Sequence, residues 1–171
     1  MSRPNSADYA AYYDKYVSLV PEDDVLSAMR SETARTSAFL KGVSDEDATR
    51  RHPPYTWSIK EVVGHLIDAE RVFGYRALRF ARGDATPLAG FDENAYAQIA
   101  EFDRLPLSDL AAEFASLRQS HLWFFGNLPE LAWERKGPAN GNEISVQTLA
   151  FLLVGHERHH LAILRKRLGQ A

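Results

Sequence analysis

The sequence predicts an all-α fold on three observations. Four long segments carry apolar residues at helical spacing, most are bounded by capping residues or glycine, and strand-like alternation is nearly absent. At 171 residues the chain is long enough to bury a hydrophobic core without staples, so one domain spanning 1–171 is expected.

The first helix is expected from about Asp24 to Lys41, with Val25, Leu26, Met29, Phe39 and Leu40 as its apolar positions and Gly42 as its stop. The second runs from about Ser58 to Arg82. Ser58 and Glu61 form a capping box ahead of Ile59, Val62, Val63, Leu66, Ala69, Val72 and Phe73, and Gly83 follows the end. The third runs from Pro106 or Ser108 to Asn127 through Leu110, Phe114, Leu117, Leu122 and Phe125. The fourth follows Ser145, a good N-cap, and continues to Leu168, with Gly169 beyond.

Between the second and third helices lies a connection from Gly83 to Leu105, long for a helical bundle. Loops of that length carry function or cross a bundle end to end. Ahead of the first helix, residues 1–22 form an arm with Tyr9, Tyr12, Tyr13 and Tyr16. Covering the edge of the bundle is its favoured role, ahead of lining a pocket.

Composition narrows the function classes. With no cysteine, disulfides, thiolate metal sites and thiol nucleophiles drop out. A net charge of −3, from 20 basic and 23 acidic residues, provides no basic field for nucleic acid. The run Arg165, Lys166 and Arg167 reads as cations at a helix C-terminus, complementing its dipole. No stretch has the apolar length to span a bilayer, and Met1 to Ala10 lacks the core of a signal peptide. The expectation is a cytoplasmic protein with no nucleic-acid or membrane partner.

The histidines carry the chemistry. His156 and His160 stand four residues apart on the fourth helix, a spacing that offers two imidazoles to one metal. They interrupt a seam of Leu149, Leu153 and Ile163 that faces the core, where unpartnered polar groups are costly. His65 lies among Val62, Leu66, Ala69 and Val72 on the second helix. It is 7 residues past Ser58, and His160 is 8 residues before Leu168, so antiparallel helices would set both roughly 10–12 Å from one end of the bundle. The competing reading is plain: HxxxH alone is weak, and a lone histidine on an apolar face is more often a satisfied core residue. On spacing alone the two stand level. His159 offers an alternative to His160, although its neighbours Leu152 and Lys166 favour the bundle edge. His52, before Pro53 and Pro54, reads as a surface loop residue, and His121 has no partner at ligand spacing.

Four segments, in order, resemble the DinB-like family, which includes metal-dependent hydrolases of the YfiT type. They are the arm from Tyr9 to Asp24, the run Trp57 to Arg71 around His65, Gly90-Phe91-Asp92-Glu93-Asn94, and Gly155-His156-Glu157-Arg158-His159-His160. The resemblance implies a four-helix bundle, down-up-up-down, with the long crossover between helices 2 and 3. It also implies His65, His156 and His160 as ligands of one divalent metal ion. Relatives include transferases that use low-molecular-weight thiols and an isomerase of the mycothiol type, and family membership does not fix chemistry.

Three neutral imidazoles leave a metal its full charge and an open position, as in catalytic sites. The leading expectation is a metal-dependent enzyme, a thiol S-transferase or hydrolase, acting on a small molecule, with zinc or nickel bound. The rival is a non-catalytic stress-response or ligand-binding protein. Asp68 and Glu157 are candidates to orient the ligand imidazoles, with surface ion pairing the favoured reading of both. Arg71, Arg76 and Arg79 could meet an anionic substrate, and solvated helix residues are the favoured reading. The family's habit of association, with the aromatic arm and Trp123, Phe124 and Phe125, predicts a homodimer.

Overall fold

Asp24, Ser58 and Ser145 each accept backbone N–H hydrogen bonds at the start of a long helix, so local side-chain chemistry sets three of the four bundle entries. In the computed structural model, residues 3–170 are described; Met1, Ser2 and Ala171 lie outside them. The elements run α1 (Asp14–Val17), α2 (Val25–Lys41), α3 (Asp45–Thr49), α4 (Ile59–Ala81), α5 (Glu93–Ala100), α6 (Leu107–Gly126), α7 (Glu130–Trp133), β1 (Lys136–Ala139), β2 (Asn142–Ser145) and α8 (Val146–Arg167). The bundle helices are α2, α4, α6 and α8, each within a residue or two of its expected span.

Side-chain pairs between helices define the directions. Arg167, ending α8, donates to the carbonyl of Trp57 just before α4, so these two helices are antiparallel. Arg71 pairs with Glu113, and Gly74, further along α4, packs against His121, further along α6, so α4 and α6 run parallel. Arg158 pairs with Glu32, and Arg165 lies over Phe39, so α2 and α8 run parallel. Packing of α2 against α6 and α8, and of α4 against the same two, makes a four-helix bundle in the down-up-up-down order with the crossover between α4 and α6. Arg165, Lys166 and Arg167 occupy the last turn of α8, where cations oppose the helix dipole.

Two apolar clusters fill the bundle. One, around Ile59, Leu66, Leu110, Phe114 and Leu164, packs the end where α4 begins. The other, around Met29, Phe80, Phe125, Phe151 and Leu152, packs the opposite end and takes in Val17, Val20 and Tyr13 of the arm. At Gly155 the arm packs directly on α8: a Cβ there would overlap the Tyr16 carbonyl.

The small hairpin of β1 and β2 went unread in the sequence. Its two-residue turn, Asn140-Gly141, has positive φ at both positions (51° and 74°), the geometry that Asn-Gly favours in tight hairpins. Leu88 of the crossover pairs with it through Leu88 N–H to the Pro138 carbonyl and Asn140 N–H to the Leu88 carbonyl. The hairpin therefore holds the crossover down on the bundle. No helix among the described residues is long and apolar enough to cross a membrane.

Candidate metal centre

His65 sits in the second turn of α4, and His156 and His160 sit one turn apart, at the middle of α8 and just beyond it. Antiparallel packing brings them to one level. His156 Nε2 lies 3.1 Å from His65 Nε2 and 3.1 Å from His160 Nε2, and the three ligand atoms all fall within 4.8 Å of one another. The cluster is capable of coordinating a divalent metal ion.

The contacts themselves test that fit. A ring Nε2 has either one proton or one lone pair, so His156 Nε2 can make a hydrogen bond with one of its two neighbours and not both. An ion accepting all three lone pairs removes the conflict. Tetrahedral coordination at about 2.0–2.1 Å puts ligand nitrogens about 3.3 Å apart, close to the spacing observed.

Burial prepares the rings for that role. Desolvation lowers the His65 pKa to about 4, with the nearby Glu93 charge working the other way. Desolvation first, and then the neighbouring histidines, hold His156 and His160 well below the ordinary imidazole value. All three are neutral at pH 7, the ligand form. Aromatic rings wall the cluster: Trp57 lies 5.2 Å from His65, and Tyr16 and Phe73 lie 5.2 and 5.9 Å from His156.

Above the histidines opens a cavity of about 320 Å³, at the small end of the range for small-molecule sites. The crossover and the arm supply much of its wall. Asp92 caps α5 by accepting from the N–H groups of Asn94 and Ala95, and this turn sets Glu93 and Asn94 on the cavity. Phe91 lines it beside them. Tyr12, Tyr13 and Tyr16 line it too, so the arm both covers the bundle edge and forms the pocket.

Several sequence expectations need correction. Glu157 is no surface carboxylate: it is fully buried, and its Oε2 lies 2.8 Å from Arg118 Nη1 without hydrogen-bond alignment. Burial pushes its pKa up to about 7, against the pull of Arg118. Arg118, also fully buried, pairs with Glu70 Oε1 at 2.7 Å and donates to the Leu153 carbonyl at 2.6 Å. Burial opposes its charge, but the two glutamates outweigh it and keep it protonated. His121, outside the cluster, is engaged with Glu70 Oε2 at 2.8 Å. His52 is buried, with Nε2 accepting from Arg50 Nε at 3.3 Å. His159 packs on Tyr16, outside the cluster. Arg76 is buried and lines the cavity, whereas Arg71 and Arg79 form ion pairs away from it. Asp68 is half-buried, 3.9 Å from Arg71, with its pKa raised by burial. Of the three neighbouring aromatics, Phe125 stacks on Trp133 inside the core, Phe124 packs partly against it, and Trp123 is exposed.

Known proteins resemble this chain in sequence or in fold. A metal-dependent hydrolase candidate from Oceanobacillus iheyensis is 25% identical over 147 residues, covering 84% of this chain and 83% of that one. YfiT of Bacillus subtilis, described as a metal-dependent hydrolase candidate with an unusual four-helix bundle topology, superposes with a TM-score of 0.78 at 18% identity, covering 87% and 88% of the two chains. A mycothiol-dependent maleylpyruvate isomerase superposes with a TM-score of 0.68 at 17% identity, over 86% of this chain and 62% of that one. Residues 28–164 match the family model itself, and the chain belongs to the DinB superfamily.

Proposed function

We propose that this chain is a metal-dependent enzyme acting on a small molecule, with His65, His156 and His160 holding one divalent ion, zinc or nickel. One observation carries the reading: three neutral imidazole nitrogens converge at the base of a cavity sized for a small molecule. No fourth His, Cys, Asp or Glu joins the cluster among the described residues, which supports an open position over a closed structural site. When bound, the ion supplies Lewis acidity and lowers the pKa of a coordinated water or thiol.

The chain's own residues do the rest. Trp57, Tyr16 and Phe73 keep bulk water from the sides of the rings, and Glu93, the carboxylate on the cavity wall, is the group to take a proton from the attacking nucleophile. Hydrolysis and thiol transfer need the same open position. Names of relatives favour hydrolysis, and the fold likeness to a thiol-dependent isomerase keeps thiol transfer as the second reading.

Elemental analysis of protein never exposed to nickel resin should find about one divalent ion per chain. A metal-free sample that resists reloading overturns the proposal. Loaded protein assayed on ester, amide and alkyl halide panels, with and without a low-molecular-weight thiol, separates the two chemistries. Exposed Trp123 is the support for a homodimer, and a single monomer peak in sedimentation at high micromolar concentration rules that out.

A further inference from the structure

We propose that Arg76 is the anion-binding residue of the cavity, and that the molecule bound there carries a carboxylate. The inference rests on the reading of this cavity as the substrate site and adds the substrate's chemical class.

Three arginines follow one another along α4, and two of them are neutralised. Arg71 pairs with Glu113, and Arg79 pairs with Asp84 at 2.5 Å. Arg76, only 4% exposed and the most deeply buried of the three, has no carboxylate partner among the described residues. Its guanidinium spends one donor on the Ala89 carbonyl at 2.9 Å, out of five available. A buried cation without a counter-charge is costly, and burial does lower its pKa from the ordinary arginine value, with only the Tyr13 phenol acting the other way. Such a cost is sensible where a ligand brings the missing charge.

Position agrees with charge. The Phe73 ring lies 5.9 Å from the His156 ring and 5.8 Å from Arg76 Cζ, so the guanidinium and the metal cluster stand within roughly 12 Å along one wall. A small molecule can place one end at the histidines and a carboxylate at Arg76. The planar guanidinium fork matches the two oxygens of a carboxylate, and one positive charge matches one negative. Lys15, held over the Tyr12 and Tyr16 rings at 4.0 and 4.8 Å, adds a second cation on the arm that draws anions inward.

The competing role for Arg76 is structural, fastening the crossover through Ala89. Benzoate and its neutral isostere benzamide distinguish the two. Both are titrated calorimetrically into zinc-loaded protein and into protein stripped with a chelator, where benzoate has no ion to bind. We expect stripped wild type to bind benzoate at least tenfold more tightly than benzamide. Arg76→Met should reduce benzoate to the benzamide level, and Arg76→Lys should recover part of the difference. Equal binding of the two probes, or benzoate binding unchanged by Arg76→Met, overturns the proposal, and tighter binding of phenyl phosphate overturns the carboxylate assignment. Should Arg76→Met fail to fold, the Arg76 Nε–Hε resonance of wild type must shift with benzoate and stay fixed with benzamide; a fixed resonance in both overturns it. Because the stripped protein has no ion, loss of the metal reading leaves this result standing, and the reverse also holds.

Discussion

Arg118 of α6 reaches through the centre of the bundle to Glu157 of α8, Nη1 to Oε2 at 2.8 Å, one residue beyond His156. With Glu70 at 2.7 Å on its other side, it ties α4, α6 and α8 together at a site without solvent. Arg118→Met should therefore cost about 3–5 kcal/mol in urea denaturation, since it leaves buried carboxylates without their cation. A loss below about 1 kcal/mol would mean that the pairs contribute no net stability.

Metal and fold should separate cleanly. His65→Ala and His160→Ala are each expected to lose the ion while far-UV dichroism stays near wild type, because the apolar faces supply most of the core. Leu66→Ala, beside the site and 3% exposed, should keep the ion but cost about 2–5 kcal/mol. His121→Ala should keep full metal occupancy, its ring being engaged with Glu70. Retention of the ion by His65→Ala and its loss from His121→Ala would refute the ligand assignment.

Acid should weaken the metal-free protein in a defined window. His65 takes a proton below about pH 6.5 when unfolded but only near pH 4 when folded, so the unfolded state binds more protons between these values and stability falls as pH drops. The contribution of His65 is about 3 kcal/mol across that span. Glu157 acts in the opposite sense, binding its proton more readily in the fold between pH 4.5 and about 7. Glu157→Gln should accordingly show a steeper loss on acidification than wild type, read from urea midpoints at pH 7, 6 and 5. A shallower slope would reverse the assignment.

The arm should detach when its seat is filled. Gly155→Ala puts a methyl where the Tyr16 carbonyl lies. Limited proteolysis is expected to cut between Tyr9 and Val20 in the variant, with the bundle from Val25 onward surviving. Equal resistance in both proteins would show that α8 shifts instead of the arm.

The bundle was legible where local chemistry decides structure. Asp24, Ser58 and Ser145 announce their helices because a side-chain acceptor must satisfy free N–H groups at each start, and the levels of His65 and His160 follow from helical rise once the helices are antiparallel. What stayed hidden depends on neighbours far along the chain. Arg118 and Glu157 look like ordinary helix surface residues until three helices close around them, and Arg76 differs from Arg71 and Arg79 only in what packs against it. The hairpin was within reach, since Asn140-Gly141 is a strong turn signal, but four-residue strands give too little alternation to stand out.

His65 and His156 lie 91 positions apart in the chain yet touch in the fold. An ion held by both would act as a reversible cross-link closing a loop of more than half the protein, and the chain-entropy model assigns a tether of that size about 4–5 kcal/mol. Thermal tolerance would then track the free concentration of the ion, rising as it is supplied and falling under chelation. In a protein with no cysteine, such a tether occupies the place that a disulfide fills elsewhere, and it can be made or released without any change of redox state.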